Sequence, residues 1–367
     1  MNHTITKLAA LALTALCASQ ASAYTTWTCQ GEKAKWDSNT VNLRYSSVSF
    51  PAGSWRNSIN AAMDRVNDNP SNFRYTRSYG DTSLGLDNGQ NETWFSSSAS
   101  VLNGNPAVAY VYRDCVDYWI FGLDNEIVEA DIIYSSAVNY TTSMSTSSLW
   151  GYSGAARPLQ TTAIHELGHG AGLKHTANTY NIMGTDWTHI HANNLTARSY
   201  LGEDAANGLV YLYGTKSNAG QDIAVTHYKR TGASGEYSSH GKTRLTTSGG
   251  GNLSTLTISG ETGYRVNKGQ TIRAEFTYEN NGRTTQNQDV RFVVSTNKYI
   301  TTYDTTLKTT TKSVGRNTVY TTTDSITIPA NLNSGQNYWI GVIFDANGTL
   351  AETTEANNAT YLPIRVN

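Results

Sequence analysis

The stretch TTAIHELGHGAGLKH, Thr161 to His175, carries three of the chain's eight histidines. His165 and His169 are four apart. On a helix that spacing puts both imidazoles on one face, one turn from each other, close enough to share a metal ion. Glu166 follows the first histidine, and its carboxylate can reach a water held at that metal. Gly172 lets the chain leave the helix by a backbone conformation unfavourable for other residues. His175 can then swing back to supply a third nitrogen. Three neutral imidazoles plus one water make a tetrahedral Zn2+ site with an open position, the catalytic rather than the structural kind. A lone histidine would be read as a core or surface residue. Here five typed positions agree at fixed spacing.

Zinc without sulfur ligands, beside a glutamate, implies hydrolysis. The metal lowers the pKa of its water toward ~7 and polarises a carbonyl oxygen. Glu166 is the expected general base, passing the proton to the leaving amine.

At these residues the chain resembles the metzincin metallopeptidases, and within them the matrixins, because the third ligand is a histidine at the longer spacing. The resemblance covers roughly Lys35 to Gly214. It implies an α+β catalytic domain, a twisted mixed sheet with an active-site helix, holding one catalytic Zn2+. NIMG, Asn181 to Gly184, stands where the family places its Met-turn, which implies that Met183 lies beneath the metal. EADIIYS (Glu129 to Ser135) resembles the edge strand that offers unpaired backbone groups to an extended peptide. DAANGLVYLYG (Asp204 to Gly214) resembles the C-terminal helix. There are departures. No histidine lies between His3 and His165, so the structural zinc site of vertebrate matrixins is not expected. A propeptide with a cysteine switch does not fit. Tyr180 precedes Met183 rather than following it, and the acidic pair of the last helix is shifted to Glu203-Asp204. His189 and His191, in DWTHIHANN, fall where the family builds its specificity pocket. They read as polar loop residues or as an x-H-x-H pair for a second metal.

The 367 residues suggest roughly two domains. The formal net charge of −1 points to neither nucleic acid nor an anionic membrane surface as partner. Charged residues make up 15% of the chain and tyrosines number 23, a texture that suits β-rich extracellular proteins. Lys7 precedes the apolar run LAALALTALCA, and Ala21-Ser22-Ala23 follows it. This reads as a secretory signal over residues 1–23, cleaved after Ala23. The alternative is a lipoprotein anchored through Cys17, where Leu16 is bulky for such a site. No other stretch is long and apolar enough to cross a membrane. Cys29 and Cys115 remain in the mature chain and most simply form a disulfide; a Cys29 thiolate blocking the zinc is the other reading.

In the first unit, residues 24–214, TVNLRYS (Thr40 to Ser46) alternates as a half-buried strand. Ser54 is the expected N-cap of a helix whose Trp55, Ile59, Ala62, Met63 and Val66 share one face. VAYVYRD (Val108 to Asp114) and EADIIYS read as strands. The histidine helix is expected to start near Pro158, and another to span Leu201 to Tyr213. Residues 215–221 are linker-like. Residues 222–367 show seven candidate strands, Asp222–Tyr228, Ser254–Ile258, Thr271–Glu279, Asp289–Ser295, Val319–Ile328, Asn337–Asp345 and Tyr361–Val366, which argue for an immunoglobulin-like β-sandwich. The proline before a G-x-x-Y strand, the DANG turn and EANN before the last strand make this half similar to the cell-adhesion-related (CARDB-like) immunoglobulin-like domain of bacterial secreted proteins. Asp345, Glu352 and Glu355 there could hold Ca2+ or form a solvated turn.

The expectation is a secreted zinc endopeptidase acting on protein or peptide substrates, with a second module that binds an extracellular matrix or cell surface. It has no nucleic-acid partner and no membrane insertion. The rivals are an adhesion protein with a vestigial metal site and a zinc amidase acting on cell-wall peptides.

Overall fold

The structure, a computed structural model, describes residues 24–50, 52–118, 122–149, 152, 154–176, 181–184, 189–226 and 243–367. The expected signal sequence with Cys17, and also Tyr180, Trp187, His227 and His240, lie outside the described residues. No described helix is long and apolar enough to cross a membrane.

The first unit is built on five strands: β1 Thr40–Ser46, β2 Arg74–Asp81, β3 Glu92–Ser96, β4 Ala107–Tyr118 and β5 Gly122–Ser135. Their order in the sheet is β2-β1-β3-β5-β4. The first four in that order run parallel, and β4 closes the sheet antiparallel to β5. The expected edge strand, Glu129–Ser135, is therefore interior. Its last residues, Ala130 to Ser135, are buried without a break, as expected for a strand covered on both faces. Among the described residues, β4 forms one edge of the sheet and β2 the other.

Helix α1, Ser54–Asn67, links β1 to β2, and Ile59, Ala62, Met63 and Val66 seal it against the core. Its N-cap is Gly53, not Ser54. Trp55 stays 40% exposed and meets Phe95 edge-on at 5.6 Å. Helix α2, Leu159–Gly170, starts after Pro158 and is buried on nearly every face. Such a helix has to sit inside the protein, and α2 packs among α1, the sheet and helix α3, Glu203–Tyr213. Cys29 and Cys115 form a disulfide with Cα atoms 6.4 Å apart, which ties the N-terminal segment to β4.

A short hairpin, β6 Ile190–Asn193 and β7 Thr196–Ser199, meets the second unit. Among the described residues that unit has ten strands: β8 Ile223–Val225, β9 Arg244–Thr247, β10 Thr255–Ile258, β11 Glu261–Val266, β12 Thr271–Asn280, β13 Gln286–Ser295, β14 Thr305–Val314, β15 Thr318–Thr327, β16 Asn337–Phe344 and β17 Ala359–Val366. One sheet has the order β8-β12-β9, with β15 also paired to β12; the other runs β10-β11-β17-β16-β13-β14. Ile272, Ala274, Phe276 and Tyr278 of β12 face a shared core with Val290, Phe292 and Val294 of β13. Strands β9, β11 and β14 were not expected. β14, TTLKTTTKSV, is an edge strand, and edge strands carry polar residues that hide the apolar alternation. The 215–221 segment is anchored: Lys216 N donates to the Pro70 carbonyl at 2.8 Å, and Thr353 N donates to the Gln221 carbonyl at 2.8 Å.

Candidate metal centre

Helix α2 presents His165 and His169 one turn apart, as their spacing requires. The helix stops at Ala171, and Gly172 takes a φ of 104°. A Cβ at Gly172 would lie 3.0 Å from Leu212 Cδ1 and 3.3 Å from the Ala34 carbonyl oxygen. The turn thus needs glycine for its conformation and for the space. The chain then runs back as Leu173–Lys174, paired with Thr25–Thr26. Thr25 Oγ1 donates to the His175 carbonyl at 2.6 Å, so the N-terminal segment holds His175 in place.

The Nε2 atoms of His165, His169 and His175 form a triangle with every side 3.1 Å. Nδ1 of His165 faces the Ile182 carbonyl at 2.5 Å, and Nδ1 of His169 faces the Leu173 carbonyl at 2.8 Å. A carbonyl only accepts, so each of these Nδ1 atoms carries the proton. In the neutral rings the Nε2 atoms then expose lone pairs to one another. Bare lone pairs at that distance repel unless a cation sits between them. Four ligands at metal–nitrogen distances of ~2.0–2.1 Å would stand about 3.3 Å apart. The residues fit a divalent ion of the zinc class, and the carbonyl contacts are the usual orienting shell for ligating histidines. Burial holds His165 well below the ordinary histidine range and His169 down to about 4, which keeps both rings neutral, as ligation requires.

Met183 is fully buried. A Cβ added to Gly168 would come 2.4 Å from its sulfur, so Met183 packs directly on the helix turn between the two histidines. Asn181 Oδ1 accepts the Met183 N–H at 2.9 Å, and Thr176 N donates to the Met183 carbonyl at 2.9 Å.

Glu166 is 3% exposed. Burial pushes its carboxyl up to about 8, opposed by the Arg157 charge and the Ala109 backbone N–H. It shares with the three histidines a cleft of about 320 Å³, completed by Trp27, Asn105, Ala107, Val108, Ala109 and Lys174. Ala107 to Ala109 belong to β4, so an edge strand of the sheet forms one wall of the cleft. A larger concavity of about 730 Å³ lies between the β6–β7 hairpin and the second unit and contains none of these groups. The three convergent imidazole nitrogens lie in the smaller cleft.

Neither His189 nor His191 lines the histidine cleft, and neither is solvated: His191 is on β6 and His189 in the segment just before it. Both are buried against the second unit: His191 Nδ1 meets the Val225 carbonyl at 2.9 Å, and His189 Nε2 meets Glu279 Oε1 at 2.8 Å. Asp345, Glu352 and Glu355 do not converge on one point. Asp345 accepts Leu350 N at 2.8 Å and Thr349 N at 3.0 Å, and Glu352 accepts Ile223 N at 2.7 Å. Asp345 is buried, Glu352 is half-buried and Glu355 is exposed, so the turn around Glu355 is solvated while Asp345 and Glu352 are taken up by backbone N–H groups. The Tyr24–Asp204–Asn181 connection behind Met183 was not legible in the sequence, since nothing local pairs residues so far apart.

No family model matches the chain, and no curated protein matches it. Among solved structures, it is similar to the CARDB domain of the PF1109 protein from Pyrococcus furiosus, determined in complex with di-metal ions. The identity is 18%, the match covers 35% of this chain and 92% of that one, and the TM-score is 0.23. It is also similar to catalytically inactive OgpA from Akkermansia muciniphila in complex with an O-glycopeptide, at 10% identity over 90% of this chain and 94% of that one, with a TM-score of 0.23. Similarity at those TM-scores assigns no function to this chain.

Proposed function

We propose that the protein is a secreted zinc-dependent endopeptidase of the metzincin, matrixin-like type. One observation carries this reading: three imidazole Nε2 atoms converge at 3.1 Å in the same cleft as a buried glutamate and an edge strand. When bound, a Zn2+ ion supplies Lewis acidity toward a carbonyl oxygen and toward water. The chain's own residues do the rest. An extended peptide adds to edge strand β4 through backbone hydrogen bonds, which brings its carbonyl groups to the histidines. Glu166 takes a proton in the cleft and hands it to the leaving amine nitrogen; a pKa raised toward neutrality suits a group that must both accept and donate. Trp27 and the β4 side chains narrow the cleft and exclude water.

The disulfide fits an oxidising, extracellular setting. The second unit holds the enzyme on its matrix or cell-surface target. Tyr303, 96% exposed, and Tyr299, 54% exposed, stand at the larger concavity and offer aromatic contact surface.

The test is cleavage of an unfolded protein by the mature chain beside Glu166→Ala at equal zinc content. Cleavage by the wild type that disappears in the variant supports the proposal. Zinc bound without cleavage of protein would favour the adhesion reading, and activity confined to cell-wall peptides would favour the amidase.

A further inference from the structure

We propose that Lys174 and Arg113, the cations beside Trp27, select peptides that carry an aspartate or glutamate side chain within a few residues of the scissile bond. The inference rests on the endopeptidase reading above and names its substrate class. Lys174 lines the histidine cleft and is exposed. It directly precedes His175, and its backbone pairs with Thr25. The pairing that holds the third histidine therefore also fixes Lys174. Trp27 lines the cleft as well. Its ring centroid lies 6.0 Å from that of His169, and the Arg113 guanidinium stands over its ring at 5.9 Å. Trp27 thus reaches from a ligand histidine to Arg113.

Neither cation is neutralised by the protein. Among the described residues, Lys174 and Arg113 belong to no ion pair. Glu166 is the only acidic side chain among those lining the cleft. It is buried, and burial pushes its carboxyl toward the neutral form. The acids nearest Arg113 in sequence face the other way. Asp114 follows it on β4, so its side chain points to the opposite face of the strand. Asp114 is paired there with Glu126 across the ladder. Asp37, Asp124 and Asp114 add to the upward push that burial gives the Glu126 carboxyl. The β4–β5 hairpin thus gathers its acids on one face and turns Arg113 toward Trp27 on the other. The same alternation puts Cys115 on the Arg113 face, where its disulfide to Cys29 holds the Trp27 segment in place.

A positive surface without its own counter-charge favours a ligand of opposite sign and disfavours one of like sign. The reach of the two cations differs. A peptide lying along β4 passes Ala109, whose backbone N–H faces Glu166. Arg113 is further along the same strand, about 13 Å on at the usual rise per residue. A carboxylate close to the scissile bond meets Lys174, and one a few residues away meets Arg113.

The experiment uses the full mature chain and three peptides that differ only in carrying Glu, Gln or Lys at positions flanking a common cut site. Two quantities are read: kcat/KM for cleavage by the wild type, and Kd for zinc-loaded Glu166→Ala by fluorescence anisotropy of the labelled peptides. We expect the glutamate peptide to lead the glutamine peptide by about fivefold in both, the upper end for one partly exposed ion pair. The lysine peptide should rank last, and the differences should shrink at high salt. Lys174→Glu should reverse the order and Arg113→Gln should reduce it, each at a zinc content equal to wild type. Equal cleavage and binding of the three peptides by otherwise unaltered protein would overturn the proposal. A glutamate preference that survives both substitutions would also overturn it, by placing the selecting charge elsewhere. If no peptide is cleaved, the endopeptidase reading fails, and the binding series still decides whether this face selects carboxylates.

Discussion

The backbone nitrogen of Tyr24 donates to Oδ1 of Asp204 at 2.9 Å, across 180 positions of sequence. The other carboxylate oxygen of Asp204 accepts from Asn181 Nδ2 at 2.7 Å. Asn181 in turn accepts the Met183 N–H. The start of the described chain is thus connected, through one carboxylate and one amide, to the turn beneath the histidine helix.

Asp204→Ala removes the acceptor from two donors, one of them a buried side-chain amide. Losing a buried hydrogen-bond partner costs about 1–3 kcal/mol. We expect a lower thermal midpoint and weaker zinc retention against a competing chelator, because the Met183 turn loses its anchor. A zinc affinity equal to wild type would show that the connection has no bearing on the site.

Gly168→Ala places a methyl group 2.4 Å from the Met183 sulfur. Overpacking of this kind costs about 1–3 kcal/mol. The expected result is a lower midpoint together with reduced zinc affinity, since the clash lies between His165 and His169. Gly168→Ala combined with Met183→Ala should recover part of the stability, which a thermal melt of the double variant will show.

Asp222 and Glu352 set a pH dependence in the second unit. Burial pushes Asp222 up to about 7 and Glu352 up to about 8. A carboxyl with a raised folded pKa binds more protons folded than unfolded. Its contribution is complete below the ordinary carboxylate range, ~4, and is lost as pH rises through the folded values. Denaturant unfolding of the chelator-treated protein should therefore show lower stability at pH 9 than at pH 6. Asp222→Asn should flatten that slope.

Replacing Cys29 and Cys115 by serine opens a loop with a sequence separation of 86. The chain-entropy description gives a loss of about 4–5 kcal/mol for a loop of this length. The double variant should unfold at markedly lower denaturant concentration while binding one zinc at the histidine site as before, because neither cysteine lines that cleft.

Several features could be read from residues alone because they are local. The i, i+4 spacing of His165 and His169 fixes their common face whatever surrounds the helix. The alternation Ile272, Ala274, Phe276, Tyr278 marks a strand with one face toward a core. By contrast, β2 (RYTRSYGD) lacks a clean period of two, and it forms a strand because it pairs along its length with β1. The glutamate-to-serine run 129–135 could be recognised as a strand but not as an interior one. Periodicity reports which faces are buried, and says nothing of which neighbour lies beside the strand.

The sequence by itself determined the histidine helix, the glycine turn that returns His175, and the change in texture after Gly214, since each follows from backbone geometry within a few residues. Only the tertiary structure decided that β4 forms the wall of the cleft. It alone brought Tyr24 to Asp204, and His189 and Glu203 to Glu279. Those pairings depend on how whole sheets and helices pack, and residues that meet over 90 or 180 positions leave no periodic trace in the chain.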